Sequence, residues 1–336
     1  MKTLLRVILA LVALAAIVVV GGYFAMKRDD IPYATLEQEY ANPADKFIDL
    51  PSGARAHYRI QGKADGRTLV LIHGFGVNLE TWEPWVKELG GEYRLISVDL
   101  PGYGLTRTPD GYKTSIAGFA DFIDEFAGAI GLTRFTAVGN SMGGNTAWVL
   151  ALRHPARVDA LVLIDASGWR DDARAGPPPL VFQLLNNRML APRLADIDPK
   201  PLVKSGLEAA VVNKAYVTDA MVTRYADFVR APGHRQMIVA RRPGGDTDAV
   251  ASKEKLAAIG VPTLILWGDQ DKLVPPADAQ KFADAIKGSK LIMYKNIGHI
   301  PHEELAAQSA SDLKTFLTDQ TLAGAALATL PPPKKP

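Results

Sequence analysis

The sequence predicts an α/β fold with a mostly parallel central sheet, helices on both faces of that sheet and an inserted helical cap. Short apolar runs such as 68–72 and 93–98 recur along the chain, and residues 119–130 carry apolar side chains at helical spacing. Continuous apolar runs are typical of strands buried on both faces. Their alternation with helices is typical of a parallel sheet covered on both sides.

The first two strands are predicted to form a hairpin. Residues 47–50 and 54–60 have strand patterns, and the turn residues Pro51, Ser52 and Gly53 separate them. The same kind of reasoning predicts one more helix at 145–152 and further strands at 135–138, 158–164, 263–267 and 290–294.

The alternation of strands and helices is interrupted between residues 168 and 260, a stretch too long for one crossover connection. Helical patterns at 180–190, 202–212 and 221–229 predict that this stretch is the helical cap. The tail is rich in alanine, ends in PPPKKP and is predicted to be disordered. The chain is therefore divided into an N-terminal anchor at 1–28, a polar linker at 29–44, a core in two parts at 45–167 and 261–320, the cap at 168–260 and the tail at 321–336.

The N-terminus carries an apolar segment without any charged residue from Val7 to Phe24. At about 1.5 Å per helical residue this segment spans roughly the hydrocarbon core of a bilayer. A cleaved signal peptide is the alternative, but it needs a shorter apolar region and a small-x-small cleavage site, which residues 23–26 do not supply. We predict an uncleaved membrane helix. Its N-terminus is expected inside, which in a bacterium places the rest of the chain in the periplasm, anchored to the inner membrane.

Composition excludes several functions. The 336 residues carry a net charge of +2 and no sustained basic run, so nothing indicates a nucleic-acid partner. There is no cysteine, which excludes disulfides, thiolate catalysis and cysteine metal ligands. No set of His, Asp and Glu has the spacing of metal ligands, and we expect neither a metal nor a cofactor.

Residues 139–143, GNSMG, follow a predicted strand and open a predicted helix. This is the G-x-S-x-G pattern of a nucleophile elbow, where a serine stands on a sharp turn and the glycines let strand and helix approach closely. Ser141 is therefore the predicted nucleophile. The loop HGFG at 73–76 follows an earlier strand, and we predict that the Phe75 and Met142 N–H groups form an oxyanion hole. His73 is expected to brace that loop.

An acid and a base are expected after the serine in chain order. Asp269 and Asp271 both follow the strand at 263–267, and Asp165, which also follows a strand, is a weaker third option. His299 follows the last strand and is the predicted base, whereas His302 is expected at the surface. The other histidines, His57, His154 and His234, are interpreted as structural.

Together, HGFG, DLPGYG, GNSMGG, WGDQD and GHIPHEE resemble the motifs of the α/β-hydrolase superfamily over about residues 45–318. The resemblance implies an α/β-hydrolase fold, with Asp271 as the acid and His299 as the base. A serine nucleophile excludes the epoxide hydrolase and haloalkane dehalogenase branches, which use aspartate.

Within the serine branch the chain resembles two groups. Membrane-anchored monoacylglycerol lipases share the apolar N-terminus, the HGF loop and the SMGG elbow. The meta-cleavage C–C hydrolases share GNSMGG and a cap that carries an arginine in a motif like that around Arg224, although the loop after HG departs from theirs. We interpret Arg224 as a solvated cap residue.

We therefore expect a serine hydrolase that cleaves a carboxylic ester, with a small and lipidic substrate. A C–C bond hydrolase is the alternative within the fold, and a ligand-binding protein without turnover is the alternative of another class.

Overall fold

The centre of the molecule is a β-sheet in which one strand runs against the others. The computed structural model describes residues 2–112, 114–169, 183–184, 187, 189–240, 247 and 249–328. In these residues the sheet has eight strands in the order β1-β2-β4-β3-β5-β6-β7-β8, and β2 is antiparallel to both of its neighbours. The remaining pairs are parallel, which confirms the predicted sheet. The strands are β1 (Asp45–Asp49), β2 (Arg55–Gly62), β3 (Thr68–Ile72), β4 (Arg94–Val98), β5 (Phe135–Asn140), β6 (Val158–Ile164), β7 (Thr263–Gly268) and β8 (Lys290–Tyr294).

Helices connect these strands and cover both faces of the sheet. The described helices before β7 are α1 (Lys2–Met26), α2 (Tyr33–Glu39), α3 (Glu83–Leu89), α4 (Ile116–Ala129), α5 (Met142–Arg153), α6 (Ala191–Leu194), α7 (Lys200–Ala210), α8 (Asp219–Val229), α9 (His234–Ala240) and α10 (Lys253–Leu256). After β7 come α11 (Ala277–Ala285), α12 (Pro301–Glu304) and α13 (Ala306–Ala328).

Two apolar layers lie on opposite faces of the sheet. One packs α4 and α5 against the strands and contains Phe119, Phe122 and Trp148. The other packs α3 and α13 against the opposite face and contains Trp85 and Phe316. Burial of such large side chains contributes about 1.5–3 kcal/mol each, so these layers fix the sheet that carries the functional site.

Helices α6 to α10 occupy the segment predicted as the cap. The helical patterns at 202–212 and 221–229 correspond to α7 and α8, and the pattern at 180–190 lies mostly outside the described residues. Whether this segment is a separate domain stays a prediction.

The prediction of a polar linker at 29–44 was wrong, because this stretch contains helix α2. Leu36 is 1% exposed and packs with Leu105, Phe228 and Ala231. Tyr33, Leu36 and Tyr40 lie three and four residues apart, so one face of α2 is apolar and is buried.

The predicted tail begins too early. Helix α13 continues to Ala328, so the boundary at residue 321 falls inside a helix. The alanine-rich sequence that suggested disorder also has the highest intrinsic helix propensity. Residues 329–336 lie outside the described residues.

Helix α1 is long and apolar enough to cross a membrane, judged by its length and composition. Its end is hydrogen-bonded to the segment that precedes α7. The Tyr23 hydroxyl donates to Asp196 Oδ2 at 3.0 Å, and the Asp198 N–H donates to the Met26 carbonyl at 2.9 Å. The apolar helix is thus tied to the segment predicted as the cap.

The Asp99 carboxylate joins the loops that follow β3 and β4. It accepts hydrogen bonds from the Leu79 N–H at 2.8 Å and the Leu105 N–H at 2.9 Å, and His57 Nδ1 lies 2.6 Å from it. His57 is buried, and its Nε2 lies 3.1 Å from Asp45 Oδ1. Burial alone would lower the pKa of His57, but the two carboxylates outweigh burial and raise the pKa to about 9.

This contact predicts a pH dependence of stability. The pKa of an unfolded histidine is about 6.5, so the folded protein binds the His57 proton more tightly. The stabilisation is fully present below about pH 6.5 and is lost as the pH rises through about 9. We expect the free energy of unfolding to fall in this window by up to about 1.4 kcal/mol per pH unit.

The measurement is urea unfolding of the full-length protein in detergent between pH 7.5 and 9, above the pKa of about 7 of buried Glu303. His57→Gln, which cannot take up the proton, should show a flatter profile. An equal slope in both proteins would contradict the assignment.

Candidate functional site

Ser141 lies at the turn between β5 and α5. Its backbone has φ 55° and ψ −116°, a positive φ that non-glycine residues rarely adopt. Two backbone hydrogen bonds hold the turn: the Ser141 N–H donates to the Ile164 carbonyl at 2.9 Å, and the Asn145 N–H donates to the Ser141 carbonyl at 3.0 Å. The neighbouring strand β6 and the first turn of α5 thus fix a strained residue at the carboxyl edge of the sheet.

The glycines of the motif are required by close backbone contacts. A Cβ on Gly143 would lie less than 3.0 Å from the Ile72 carbonyl oxygen, and a Cβ on Gly139 would lie less than 3.0 Å from the Gly143 carbonyl oxygen. These obstacles are backbone atoms, which cannot move aside. The spacing of the glycines on either side of the serine therefore reflects the contact of α5 with β5 and β3.

The loop at 73–76 lies against Ser141. A Cβ on Gly74 would be 3.3 Å from the Ser141 Cβ and 2.9 Å from Asn140 Oδ1. Met142 directly follows Ser141 and begins α5, so the two predicted oxyanion donors, Phe75 N–H and Met142 N–H, belong to segments that meet at the serine. Their role as donors stays a prediction.

His73 braces this loop, as the sequence predicted. Its Nε2 accepts a hydrogen bond from the Leu100 N–H at 3.0 Å, so the proton must be on Nδ1, which donates to the Gly74 carbonyl at 2.7 Å. Complete burial lowers the pKa of His73 and keeps the ring neutral. The ring therefore joins the end of β3 to the loop after β4.

His299 and Asp271 form a buried pair beside the turn. His299 Nδ1 lies 2.7 Å from Asp271 Oδ2, and the other oxygen, Asp271 Oδ1, accepts from the Leu273 and Val274 N–H groups at 2.7 and 3.0 Å. The Asn140 side chain donates to the His299 carbonyl at 3.0 Å, which attaches the histidine loop to the residue before Ser141. This arrangement orients the ring so that Nε2 is the nitrogen left for a reaction.

Of the other two candidate acids, Asp269 has a backbone partner. Its Oδ1 accepts from the Asn296 N–H at 2.7 Å, within the turns that follow β7 and β8. Asp165, however, joins the pair: one carboxyl oxygen each of Asp165 and Asp271 and one ring nitrogen of His299 lie within 4.8 Å of one another. Sequence spacing gave no sign of this cluster, because its members come from three separate strand ends.

The expectation that His302 lies at the surface was wrong. Its ring is completely buried, stacks on Trp82 with centroids 4.6 Å apart, and lies 3.2 Å from the Thr81 hydroxyl. Burial and the neighbouring His299 lower the pKa of His302 to about 3, so the ring is neutral. Spacing alone placed this residue one turn beyond the base, and the tryptophans that cover it come from a distant part of the sequence.

Arg224 is less solvated than predicted. Its side chain is 31% exposed, its Nη1 lies 3.6 Å from Glu80 Oε2, and its guanidinium lies 5.5 Å from the Tyr225 ring. Glu303, which was not predicted as a site residue, accepts from the Thr81 and Tyr216 hydroxyls. Burial raises the pKa of Glu303 to about 7. Only its place in GHIPHEE could have drawn attention to it.

A small cleft lies between the loop at 76–77 and helix α8. Most of its walls are apolar or glycine backbone, and it opens beside the predicted oxyanion loop. Its lining residues are Gly76, Val77, Gly102, Tyr103, Gly104, Tyr225, Phe228, Val229 and Ile238.

Comparison with known proteins finds a matching family and similar chains. The family model described as alpha/beta hydrolase fold matches residues 67–305. Lipase 3 of Moraxella sp. (strain TA144) is 28% identical over 283 residues, covering 81% of this chain and 84% of the lipase. Among solved structures, a membrane phospholipase A described as a bacterial virulence factor has a TM-score of 0.66 and 25% identity, covering 95% of this chain and 99% of that chain. The meta-cleavage product hydrolase of Pseudomonas fluorescens IP01 has a TM-score of 0.67 and 26% identity, covering 82% of this chain and 98% of that chain.

Proposed function

The chain belongs to the α/β-hydrolase fold family, and we propose that within it the protein is a serine hydrolase of carboxylic esters. The observation that carries this proposal is the buried His299–Asp271 pair, whose loop is bonded to Asn140, next to the strained Ser141. A nucleophile on a strained turn, a base and an orienting acid are the parts that acyl transfer requires.

In the proposed mechanism, His299 Nε2 takes the proton from Ser141 Oγ as that oxygen attacks the ester carbonyl. Asp271 holds the ring in the required tautomer and stabilises the imidazolium that forms. The Phe75 and Met142 N–H groups donate to the oxyanion. His299 then gives its proton to the leaving alcohol. Water, activated by the same histidine, cleaves the acyl-enzyme and restores the serine.

The substrate class is proposed mainly from the relatives. The cleft beside the 73–76 loop has mostly apolar walls, but its volume of about 10 Å³ holds no more than a water molecule. The lipase and membrane phospholipase named above act on lipidic esters, in the words of their names. We therefore infer that the substrate is a small lipidic ester, with a monoacylglycerol as one candidate.

The alternative is C–C bond hydrolysis, which the likeness to a meta-cleavage product hydrolase favours. In that reading Arg224 would bind a substrate carboxylate. Here the guanidinium already lies beside Glu80 and over Tyr225, so a substrate carboxylate would have to displace these contacts. We therefore prefer the ester. A ligand-binding protein without turnover would have no use for the buried His299–Asp271 pair.

We further propose that α1 anchors the protein in a membrane, with the hydrolase in the bacterial periplasm. The helix has exposed apolar side chains along its length, and none of its side chains whose burial is described belongs to the buried core. An anchor holds the enzyme where lipidic esters are concentrated.

The first prediction from the proposed function concerns Ser141. We expect Ser141→Ala to abolish labelling by a fluorophosphonate and to lower the turnover of p-nitrophenyl esters by about 10⁶-fold, as is usual when a nucleophilic serine is removed. Ser289→Ala is the matched control, since Ser289 precedes β8 at the opposite edge of the sheet and should leave both signals unchanged. Labelling and turnover that survive in Ser141→Ala would refute the assignment. Labelling without ester turnover in the wild type would favour the C–C hydrolase or the binding protein.

The second prediction separates the two neighbouring aspartates. Asp271→Asn should lower kcat by about 10⁴-fold, because the ring loses its anionic partner and its fixed tautomer. Asp269→Asn should change kcat little, since its oxygen accepts from the Asn296 N–H and an amide oxygen can do the same. Ester turnover of the two full-length variants measures the difference, and the reverse order of effects would identify Asp269 as the acid.

The third prediction concerns α1. In a bacterial host, the full-length protein should stay in the membrane fraction after an alkaline carbonate wash, and a C-terminal alkaline phosphatase fusion should be active. Leu14→Arg combined with Ile17→Arg should abolish stable insertion, because each charge at the bilayer centre costs about 2.5–3.5 kcal/mol. The same positions changed to alanine are the control. A soluble protein whose mature N-terminus lies after the apolar segment would instead show a cleaved signal peptide.

A further inference from the structure

The cluster of Asp165, Asp271 and His299 contains two carboxyl groups, whereas one is enough to orient the histidine. Asp271 uses both oxygens, one for the His299 ring and one for two backbone N–H groups. Asp165 Oδ1 accepts from the Gly268 N–H at 3.0 Å. Asp165 Oδ2 is completely buried and has no hydrogen-bond partner, although a carboxyl oxygen of Asp165 lies within 4.8 Å of Asp271. A buried polar atom without a partner costs free energy, so its position requires an explanation.

The backbone of Asp165 is strained. Asp165 directly follows β6 and has φ 43°, one of three positive φ values among the described non-glycine residues. Its N–H donates to the Leu266 carbonyl at 3.0 Å, so the strained residue is bound to β7, the strand that leads to Asp271. Strain of this kind persists where the surrounding structure enforces it, and it is concentrated at functional sites.

We infer that Asp165 is a positioning residue for the proposed acid–base pair: it stays protonated, and its carboxyl hydrogen bonds to the Asp271 carboxylate and fixes it against His299. This inference rests on the proposed function. It assigns no acid–base step to Asp165. The proton of Ser141 moves to His299 Nε2 and on to the leaving alcohol, Asp271 remains ionised, and Asp165 keeps its proton throughout.

The electrostatic surroundings agree with a neutral Asp165. Complete burial raises the pKa of Asp165 well above its usual range, and the nearby Asp271 carboxylate raises it further, with Glu304 adding to the effect. The other ionisable groups that face it are His299, which shares the cluster, and the Tyr294 hydroxyl. Two buried carboxylates a few ångströms apart share one proton rather than ionise together.

A bound cation is the other way to bring two carboxylates together, and the hydrogen bonds disfavour it. A cation needs several free ligand atoms at once. In the cluster as described, His299 Nδ1 and both Asp271 oxygens already have partners, and so does Asp165 Oδ1. Asp165 Oδ2 is the remaining oxygen, and a single proton satisfies it.

Substitution of Asp165 by asparagine or by glycine tests this role, because asparagine and glycine both accept a positive φ. Asp165→Asn keeps the size of the side chain, an acceptor for the Gly268 N–H and a donor for Asp271. Asp165→Gly keeps the backbone but removes the donor. We expect Asp165→Gly to lower kcat by about 10- to 100-fold at an unchanged KM, the loss usual when an outer hydrogen-bond partner is removed. Asp165→Asn should keep most of the activity.

The measurement is ester turnover of the full-length proteins as a function of pH, with rates divided by the number of sites that a fluorophosphonate labels. Since Asn replaces one neutral donor with another, the acidic limb of the profile should not move in Asp165→Asn. If Asp165 is ionised in the wild type, that limb should shift down by more than about one pH unit, because the imidazolium loses a neighbouring charge. Such a shift overturns the inference. Unchanged kcat per labelled site in both variants, with only the melting temperature lowered, also overturns it.

A second readout does not depend on ester turnover. The infrared difference spectrum between the wild type and Asp165→Asn at pH 7 should contain the carbonyl band of a protonated carboxyl group, and its absence refutes the inference. The downfield proton signal of the His299–Asp271 hydrogen bond should persist in Asp165→Asn and shift in Asp165→Gly. If the wild type hydrolyses no ester, the proposed function fails, while these spectra still test the arrangement.

Discussion

The close approach of helix α5 to strand β3 is the constraint on which the candidate site depends. Gly143 lies so near the Ile72 carbonyl that no side chain fits, and this contact places the first turn of α5 directly above the strand end. Ser141 must then reverse the chain direction within one residue, which explains its positive φ. The loop at 73–76 starts directly after Ile72, so it lies beside Ser141.

Buried charge is organised around this strained edge in two ways. On one side, Asp99 is ionised and fully satisfied by backbone N–H groups and by His57, and it fixes the loops after β3 and β4. The buried guanidinium of Arg59 is likewise paired with opposite charges, those of Asp45, Glu80 and Glu83. Near the proposed base His299, by contrast, the carboxyl groups of Asp165 and Asp271 lie close together beside one histidine. Burial there favours the neutral form of Asp165, whereas the groups around Asp99 favour its ionised form.

Most of the sheet and the elbow could be predicted from the sequence, because both depend on local patterns. Apolar runs located β3 to β8, and the glycines around Ser141 encode a contact that the motif records directly. The choice of Asp271 over Asp269 needed the family resemblance, since two aspartates separated by one residue after a strand have the same local signal. His302 and Arg224 were misplaced for a common reason: each contacts residues distant in the sequence, and spacing along the chain contains no information about them. Leu36 was misplaced because α2 has only 7 residues, so its apolar face shows few periodic positions.

The segment between the apolar helix and the core connects the proposed anchor to the wall of the small cleft. The end of α1 bonds to Asp196 and Asp198, and the Ile31 N–H donates to the Arg230 carbonyl at 2.8 Å, just after α8. Leu36 then packs on Phe228, which lines the cleft from the same helix. A chain that runs from the proposed membrane helix along the wall of the cleft has little freedom to reorient. The orientation of α8 relative to the anchor is therefore set by these contacts, and the cleft would face a constant direction relative to the proposed membrane.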